Sequence, residues 1–175
     1  MNLQKKDYVL IVLDCENVFK SAQFLFGQNI RVNYTMMTKH LTDYGMEHYG
    51  DINFKKLAFN SIKPSQHTQM DFLCALTYLG YDVKSSVSVL DEETYTLKKQ
   101  ENYFTWIETE VMNTCFPSTI PLAVFIVCGS SQLKPLHRKL ISFGVSLEVF
   151  GFEGSVSTHI LGVSKHGFDR TFLLS

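Results

Sequence analysis

Several features that would narrow the function are missing from this chain of 175 residues. Its formal net charge is −1, so no global basic field indicates nucleic-acid binding, and any basic patch must be local. No apolar run approaches the roughly 20 residues needed to cross a bilayer. The first residues, MNLQKKDY, lack the apolar core of a signal peptide. We therefore expect a cytoplasmic protein that has no membrane partner.

Cysteine is scarce and poorly placed for metal binding. Cys15, Cys74, Cys115 and Cys128 include no CxxC pair, and the six histidines include no HxxxH pair. Closely spaced pairs are typical of zinc sites, so we expect no structural zinc. The cysteines lie in segments that look like strand ends and helices rather than a loop-rich stapled scaffold, which favours reduced thiols.

The chain also lacks internal repeats, low-complexity stretches and linkers. Its length suffices for one domain with a sizeable core. A hydrophobic content of 45% and a charged content of 19% are typical of a compact globular protein. We expect a single domain over residues 1–175.

One stretch organises the rest. Residues 8–17, YVLIVLDCEN, place six consecutive apolar residues before a carboxylate, a cysteine, a second carboxylate and an amide. Such a run indicates a strand buried on both faces of a parallel sheet. In open α/β sheets the ligand lies beyond the carboxyl ends of the strands, so Asp14, Glu16 and Asn17 occupy the expected position for chemistry.

Strand and helix patterns alternate along the whole chain, which is typical of right-handed βαβ units. The run PLAVFIVCGS (121–130) predicts a second buried strand, the natural neighbour of the first, and the lysines of residues 51–60 suggest a strand nearer the rim of the sheet. We predict a three-layer αβα sandwich with a mostly parallel central sheet. Strands are predicted over 8–13, 51–60, 81–90, 121–130, 145–152 and 168–175, helices over 18–27, 34–45, 65–80, 101–114, 131–144 and 155–165, and a polar loop over 91–101.

The order of several phrases matches a known family. They are LDCEN, TYLGYDVKSSV, KKQEN with an acidic residue six positions on, FIVCGSSQL, LHRKLISFGVSLEVFG and HILGVSKHGFDRTFLL. In this order and spacing the chain resembles the NYN domains (LabA-like) of the PIN-like nuclease superfamily over essentially its whole length. The resemblance implies a ribonuclease architecture in which carboxylates from several strand ends hold Mg²⁺ or Mn²⁺. Such ions prefer oxygen ligands, activate water and stabilise displacement at phosphorus.

The residues at the family's positions are only partly acidic. Asp14 and Asn17 match the family's first motif, and Glu108 matches its later acidic position. The lysine-x-x-aspartate phrase is present as Lys99 followed by Asn102. At the fourth element Ser130 and Gln132 replace two aspartates, and Leu133 replaces an aromatic residue. Neutral residues thus occupy three of the family's four central acidic positions, and Asp14 is the one carboxylate that remains there as a metal ligand. We therefore do not expect tight metal binding.

Several of these residues have a plain structural interpretation. Asp14 and Ser130 both precede predicted helices and can act as N-caps. Glu108 belongs to a helix with other acidic residues, which favours a solvated face. Asn17 and Asn102 can form hydrogen bonds within the pocket that corresponds to the family's metal site. Cys15 and Cys128, at the ends of the central strands, are better explained by packing than by nucleophilic chemistry.

Basic and aromatic residues offer a binding surface instead of a catalytic one. Ser131 and the basic face of the following helix can contact an RNA backbone, as can a smaller lysine patch. The basic residues are Lys134, His137, Arg138 and Lys139 on the helix, and Lys98 and Lys99 in the patch. Tyr95, Tyr103 and Trp106 are expected near the surface, where they can stack on bases or form a subunit interface.

Three hypotheses follow. The leading hypothesis is a catalytically impaired NYN/PIN-like domain that needs no cofactor and binds RNA or a protein, including a second copy in a homodimer. The second is an active ribonuclease that uses Asp14, Glu16 and Glu108 with Mg²⁺ or Mn²⁺. The third is a regulatory or assembly factor that never meets nucleic acid, which the near-neutral charge favours.

Overall fold

The computed structural model describes residues 7–63, 68–98, 100, 102–116 and 119–174. Within these residues, helices and strands alternate along most of the chain. The helices are α1 (Cys15–Phe26), α2 (Tyr34–Tyr49), α3 (Thr68–Tyr78), α4 (Tyr103–Cys115) and α5 (Lys134–Ser142). The strands are β1 (Tyr8–Asp14), β2 (Arg31–Val32), β3 (Asn53–Ile62), β4 (Asp82–Val87), β5 (Val89–Asp91), β6 (Thr96–Lys98), β7 (Ala123–Val127), β8 (Ser146–Phe152), β9 (Ser164–Phe168) and β10 (Leu173–Leu174).

The main sheet has six strands in the order β4-β3-β1-β7-β8-β9, and every described pairing in it is parallel. The prediction that β1 is central and that β7 is its neighbour is confirmed. All seven residues of β1 and all five of β7 are buried. A strand covered on both faces needs apolar residues at every position rather than at alternate ones, which is what both runs supply.

Helices cover both faces of this sheet. Val9, Ile11 and Leu13 of β1 share one core with residues of α1, α2 and α3. Leu10 and Val12 share the other core with residues of α4 and α5. The predicted three-layer αβα sandwich is therefore confirmed, with a core on each side of the sheet.

The strand order reverses beside β1. The chain proceeds from β1 through β3 to β4 in one direction, then returns to place β7 on the other side of β1 and continues to β8 and β9. The carboxyl ends of β1 and β7 therefore flank the crevice where open α/β sheets place their ligands. β3, whose lysines suggested a position near the rim, lies one strand in from the edge and pairs with β1 directly.

The predicted helix over 155–165 is wrong. Residues 153–163 form turns, and β9 begins at Ser164. Gly154 and Gly162 adopt φ values of +86° and +75°, and Ser155 donates its hydroxyl to the carbonyl of Phe152. Serine hydroxyls that bond nearby backbone groups favour turns over helix, so apolar spacing alone misled the prediction.

Other boundaries also differ from expectation. The short final strand predicted over 168–175 is confirmed only as β10 (Leu173–Leu174), which follows a 3₁₀ turn over Arg170–Phe172. β10 pairs antiparallel with β2, a strand the sequence did not indicate. The predicted loop over 91–101 contributes to an antiparallel hairpin of β5 and β6. The start predicted for α3, residues 65–67, lies outside the described residues.

Gly45 does not end α2, as its sequence position suggested. The helix continues to Tyr49 and stops before Gly50, whose φ is +81°. A Cβ on Gly45 would lie 2.6 Å from Cε1 of Phe54. The missing side chain therefore allows close packing of α2 on the sheet.

Candidate functional site

Asp14 is the last residue of β1 and the N-cap of α1, where the backbone turns from strand to helix. Its Oδ1 accepts a hydrogen bond from the backbone N–H of Asn17 at 3.1 Å and from the hydroxyl of Tyr103 at 3.2 Å. Its Oδ2 accepts from Sγ of Cys128 at 3.4 Å. Asp14 is 1% exposed, so the protein's own donors surround this carboxylate.

The end of β7 is tied to the same residues. The backbone N–H of Gly129 donates to Oδ1 of Asn17 at 3.0 Å. We call Asp14, Asn17, Tyr103, Cys128 and Gly129 the Asp14 network. Burial, and secondly the nearby Asp14 carboxylate, raise the pKa of Tyr103, so its phenol keeps the proton that it donates.

The segment after β8 covers this network. The backbone N–H of Ser157 donates to the carbonyl of Gly129 at 2.9 Å. A Cβ on Gly129 would lie 2.6 Å from the carbonyl oxygen of Ser155. The two backbones are therefore in direct contact just beyond the end of β7.

The other predicted carboxylates are engaged elsewhere. Glu16 pairs with Lys20 at 2.5 Å, one turn along α1. Glu108 pairs with Lys139 and joins α4 to α5, where a solvated face was expected. Among the described residues, no group of three or more His, Cys, Asp or Glu side chains is placed to hold a metal ion. Since Mg²⁺ and Mn²⁺ need several converging oxygen ligands, this arrangement does not fit such an ion.

The remaining family positions have local roles. Ser130 is the N-cap of the 3₁₀ turn Ser131–Leu133, and its Oγ accepts from the backbone N–H of Gln132 at 3.2 Å. Asn102 is the N-cap residue of α4 but makes no side-chain capping bond. Gln132 is exposed and Leu133 is buried. Lys99 lies outside the described residues.

The basic face expected on α5 is smaller than predicted. His137 is 4% exposed, so its inclusion in that face was wrong; burial lowers its pKa to about 4, and the imidazole is neutral near pH 7. Lys139 is committed to Glu108. Arg138 is exposed and Lys134 is half-buried. Lys98 pairs with Asp91.

The aromatic residues and cysteines divide clearly between surface and core. Tyr95 is 82% exposed, but Tyr103 is 1% exposed, so its expected surface position was wrong. Trp106 is half-buried and packs edge-on against the ring of Phe59. None of the four cysteines forms a disulfide bond. Cys15 is buried, and burial raises its thiol pKa well above the usual range, which favours packing over nucleophilic chemistry.

A second feature at the same edge of the sheet was not anticipated from the sequence. A cavity of about 500 Å³, which we call the α1 cavity, lies at the carboxyl end of β3 beside α1. It is lined by Cys15, Glu16, Phe19, Lys20, Gln23, Arg31, Val32, Tyr34, Asn60, Ser61, Lys63, Gln69, Phe72, Ser88 and Leu174. Its volume is within the range typical of small-molecule sites.

The charges around the α1 cavity are mainly positive. Its charged lining residues are three cations, Lys20, Arg31 and Lys63, and one carboxylate, Glu16. All three cationic residues are exposed, and Lys20 is paired with Glu16, which lines the same cavity. This is the local basic patch that a chain with a net charge of −1 can still carry.

The inner part of the cavity is polar. Asn60 is 7% exposed, and its Nδ2 has no hydrogen-bond partner among the described residues. In contrast, the hydroxyls of Ser61 and Ser88 pair with each other at 2.7 Å. A buried amide donor without a partner is costly, and a bound acceptor would remove that cost.

The α1 cavity was missed because its walls come from several separate segments of the chain, one of which is the two-residue strand β2. The available signal was Asn60 and Ser61, polar residues that follow the buried part of β3. The reasoning that selected Asp14 at the end of β1 would have selected them too.

Among the described residues, no helix is both long enough and apolar enough to cross a membrane. Comparison of the chain with models of protein families, with curated proteins and with solved structures gives no match.

Proposed function

We propose that this chain is a catalytically inactive NYN-type, PIN-like module that binds single-stranded RNA at the carboxyl edge of its sheet. The observation that carries the proposal is the contrast at that edge. The carboxylate expected to hold a metal is enclosed by the protein's own donors, while three cationic side chains surround an open cavity nearby.

The state of Asp14 supports the loss of catalysis. A metal ion at this carboxylate would have to displace hydrogen bonds from Asn17, Tyr103 and Cys128 in a site that is 1% exposed. Glu16 and Glu108 would also have to leave their lysine partners. Mg²⁺ gives up its water reluctantly and needs carboxylates to replace it.

Charge and ring chemistry favour RNA over a protein partner. Cationic side chains contact phosphates, and aromatic side chains stack on unpaired bases. The α1 cavity combines Lys20, Arg31 and Lys63 with the aromatic residues Phe19 and Tyr34. Lys134, near the end of β7, and Arg138 on the same helix are further candidates for backbone contacts.

The experiment measures binding of a fluorescently labelled single-stranded RNA by anisotropy across a series of KCl concentrations. Three phosphate contacts predict that log K falls against log salt with a slope of about −2. Calorimetric titration of Mn²⁺ and a cleavage assay are run in parallel on the wild type and on Asp14→Asn. We expect RNA binding in both proteins, with neither metal binding nor cleavage.

Two results would overturn this proposal. Saturable Mn²⁺ binding and cleavage that both depend on Asp14 would establish the ribonuclease alternative. Absence of RNA binding, together with self-association that is insensitive to salt, would identify a protein-interaction module that forms a homodimer.

A further inference from the structure

We infer that the α1 cavity binds one nucleoside monophosphate unit, with its phosphate near Lys20, Arg31 and Lys63 and its base against the aromatic and amide residues of the cavity. This inference rests on the proposed function and specifies which part of the RNA the protein recognises. The unit can come from a free nucleotide or from one nucleotide of an RNA strand.

The size of the cavity limits the occupant. About 500 Å³ is ample for a base, a sugar and a phosphate, but a folded partner segment or a duplex would need a longer groove. An unpaired nucleotide is the part of an RNA that can enter such a space, because bases in a duplex are stacked and paired.

The aromatic side of the cavity is held in place. The hydroxyl of Tyr34 donates to the backbone carbonyl of Cys15 at 3.3 Å, and its ring lies 5.1 Å from that of Phe72. Phe19 also lines the cavity and is 40% exposed, so its ring is accessible to a ligand. Fixed rings can accept a base without an ordering cost.

The amide of Asn60 supplies the specific contact. Its buried Nδ2 donor has no partner in the described part of the chain and matches an acceptor atom on a base edge. Uracil offers its carbonyl oxygens and adenine its ring nitrogens to such a donor, so we expect both UMP and AMP to bind. The three cationic residues match the phosphate, which a nucleoside lacks.

The test titrates UMP, AMP and uridine into the purified protein by calorimetry, and measures oligouridylate binding by anisotropy. Asn60→Leu keeps the approximate shape of the side chain and removes the donor, so UMP affinity should fall about tenfold while the melting temperature stays equal or rises. The double variant Arg31→Gln/Lys63→Gln should weaken UMP about a hundredfold, and it should reduce the salt slope for RNA by about 1.4.

Lys39→Gln is the matched control, since Lys39 is an exposed lysine of α2 that pairs with Asp43 and does not line the cavity. Its affinities should equal those of the wild type. UMP binding that is unchanged by Asn60→Leu and by the double variant would overturn the inference, as would equal affinity for uridine and UMP.

The outcomes separate this inference from the proposed function. RNA affinity that is unchanged by the cavity variants would overturn the inference but would not contradict the proposed function. UMP binding that depends on Asn60 and Arg31, without RNA binding, would support a free-nucleotide site and overturn the function. Failure of both ligands to bind would overturn both.

Discussion

The Asp14 network and the α1 cavity lie at the same edge of the sheet, yet one is closed and the other open. In the network, a buried carboxylate accepts hydrogen bonds from residues of α1, α4 and the end of β7. In the cavity, a buried amide of β3 keeps a donor without a partner among the described residues. Strand ends supply polar groups in both places, and the neighbouring backbone determines which of them a ligand can reach.

The difference has an energetic side. Each satisfied buried hydrogen bond stabilises the fold by about 1 kcal/mol, and each unsatisfied buried donor costs about 1–3 kcal/mol. The Asp14 network therefore contributes to folding, whereas Asn60 reduces stability in the absence of a ligand. Groups that are costly to the fold but useful in binding are common at functional sites.

The largest expected effect comes from removing the centre of the network. Asp14→Ala removes an acceptor of the Tyr103 hydroxyl and of the Cys128 thiol, and it removes the N-cap of α1. We expect the free energy of unfolding to fall by about 3 kcal/mol. Urea denaturation followed by the fluorescence of Trp106, which packs near Tyr103, measures this loss.

Asp14→Asn is the matched control, because it keeps an acceptor oxygen and the side-chain shape. Its loss should be roughly half that of Asp14→Ala. A cost below about 1 kcal/mol for Asp14→Ala would contradict a structural role and would reopen the possibility of a catalytic one.

The next effect comes from the segment that covers the network. In Gly129→Ala the new Cβ would meet the backbone carbonyl of Ser155, which cannot move without displacing the chain. We expect a loss of roughly 2–3 kcal/mol in the free energy of unfolding. In Gly151→Ala the nearest atom is Cγ2 of Val156, a side-chain methyl at 2.7 Å. A methyl can rotate away, so the control should lose about 1 kcal/mol, and equal losses would argue against a rigid cover.

The sequence predicted the centre of the fold well because burial on both faces leaves a clear mark. β1 and β7 are continuous apolar runs, and Asn33 and Gly27 mark helix ends through local capping chemistry. The end of the chain was predicted poorly. The path of residues 153–163 depends on contact with Gly129, which lies far away in sequence and leaves no local pattern.

The candidate site shows the same limit. The position of Asp14 followed from the rule that ligands lie at strand ends. Its hydrogen-bonded state did not, because Tyr103 and Cys128 lie 89 and 114 residues away along the chain. The α1 cavity forms only because β2 and β3 pack beside α1, and no motif in the sequence predicts that packing.

The smallest expected effect concerns His137. Like Asn60, it is buried and carries a nitrogen without a hydrogen-bond partner among the described residues, but it does not line the α1 cavity. That nitrogen is Nε2, and the residue is 4% exposed and is not part of the Asp14 network. Burial lowers its pKa to about 4, from 6.5 for an unperturbed histidine. Between these values the unfolded chain binds a proton at His137 and the folded chain does not. Lowering the pH through this window therefore destabilises the fold.

We expect His137 to account for a loss of about 2 kcal/mol between pH 6.5 and pH 4, allowing for partial solvent screening. Comparing urea denaturation of the wild type with that of His137→Leu across this range isolates the effect, since all other groups titrate in both proteins. The exposed His159→Gln is the control and should follow the wild type. His137→Leu should leave UMP affinity unchanged, whereas Asn60→Leu should lower it. If both substitutions weakened UMP binding equally, a buried polar group without a hydrogen-bond partner would not indicate where the ligand binds.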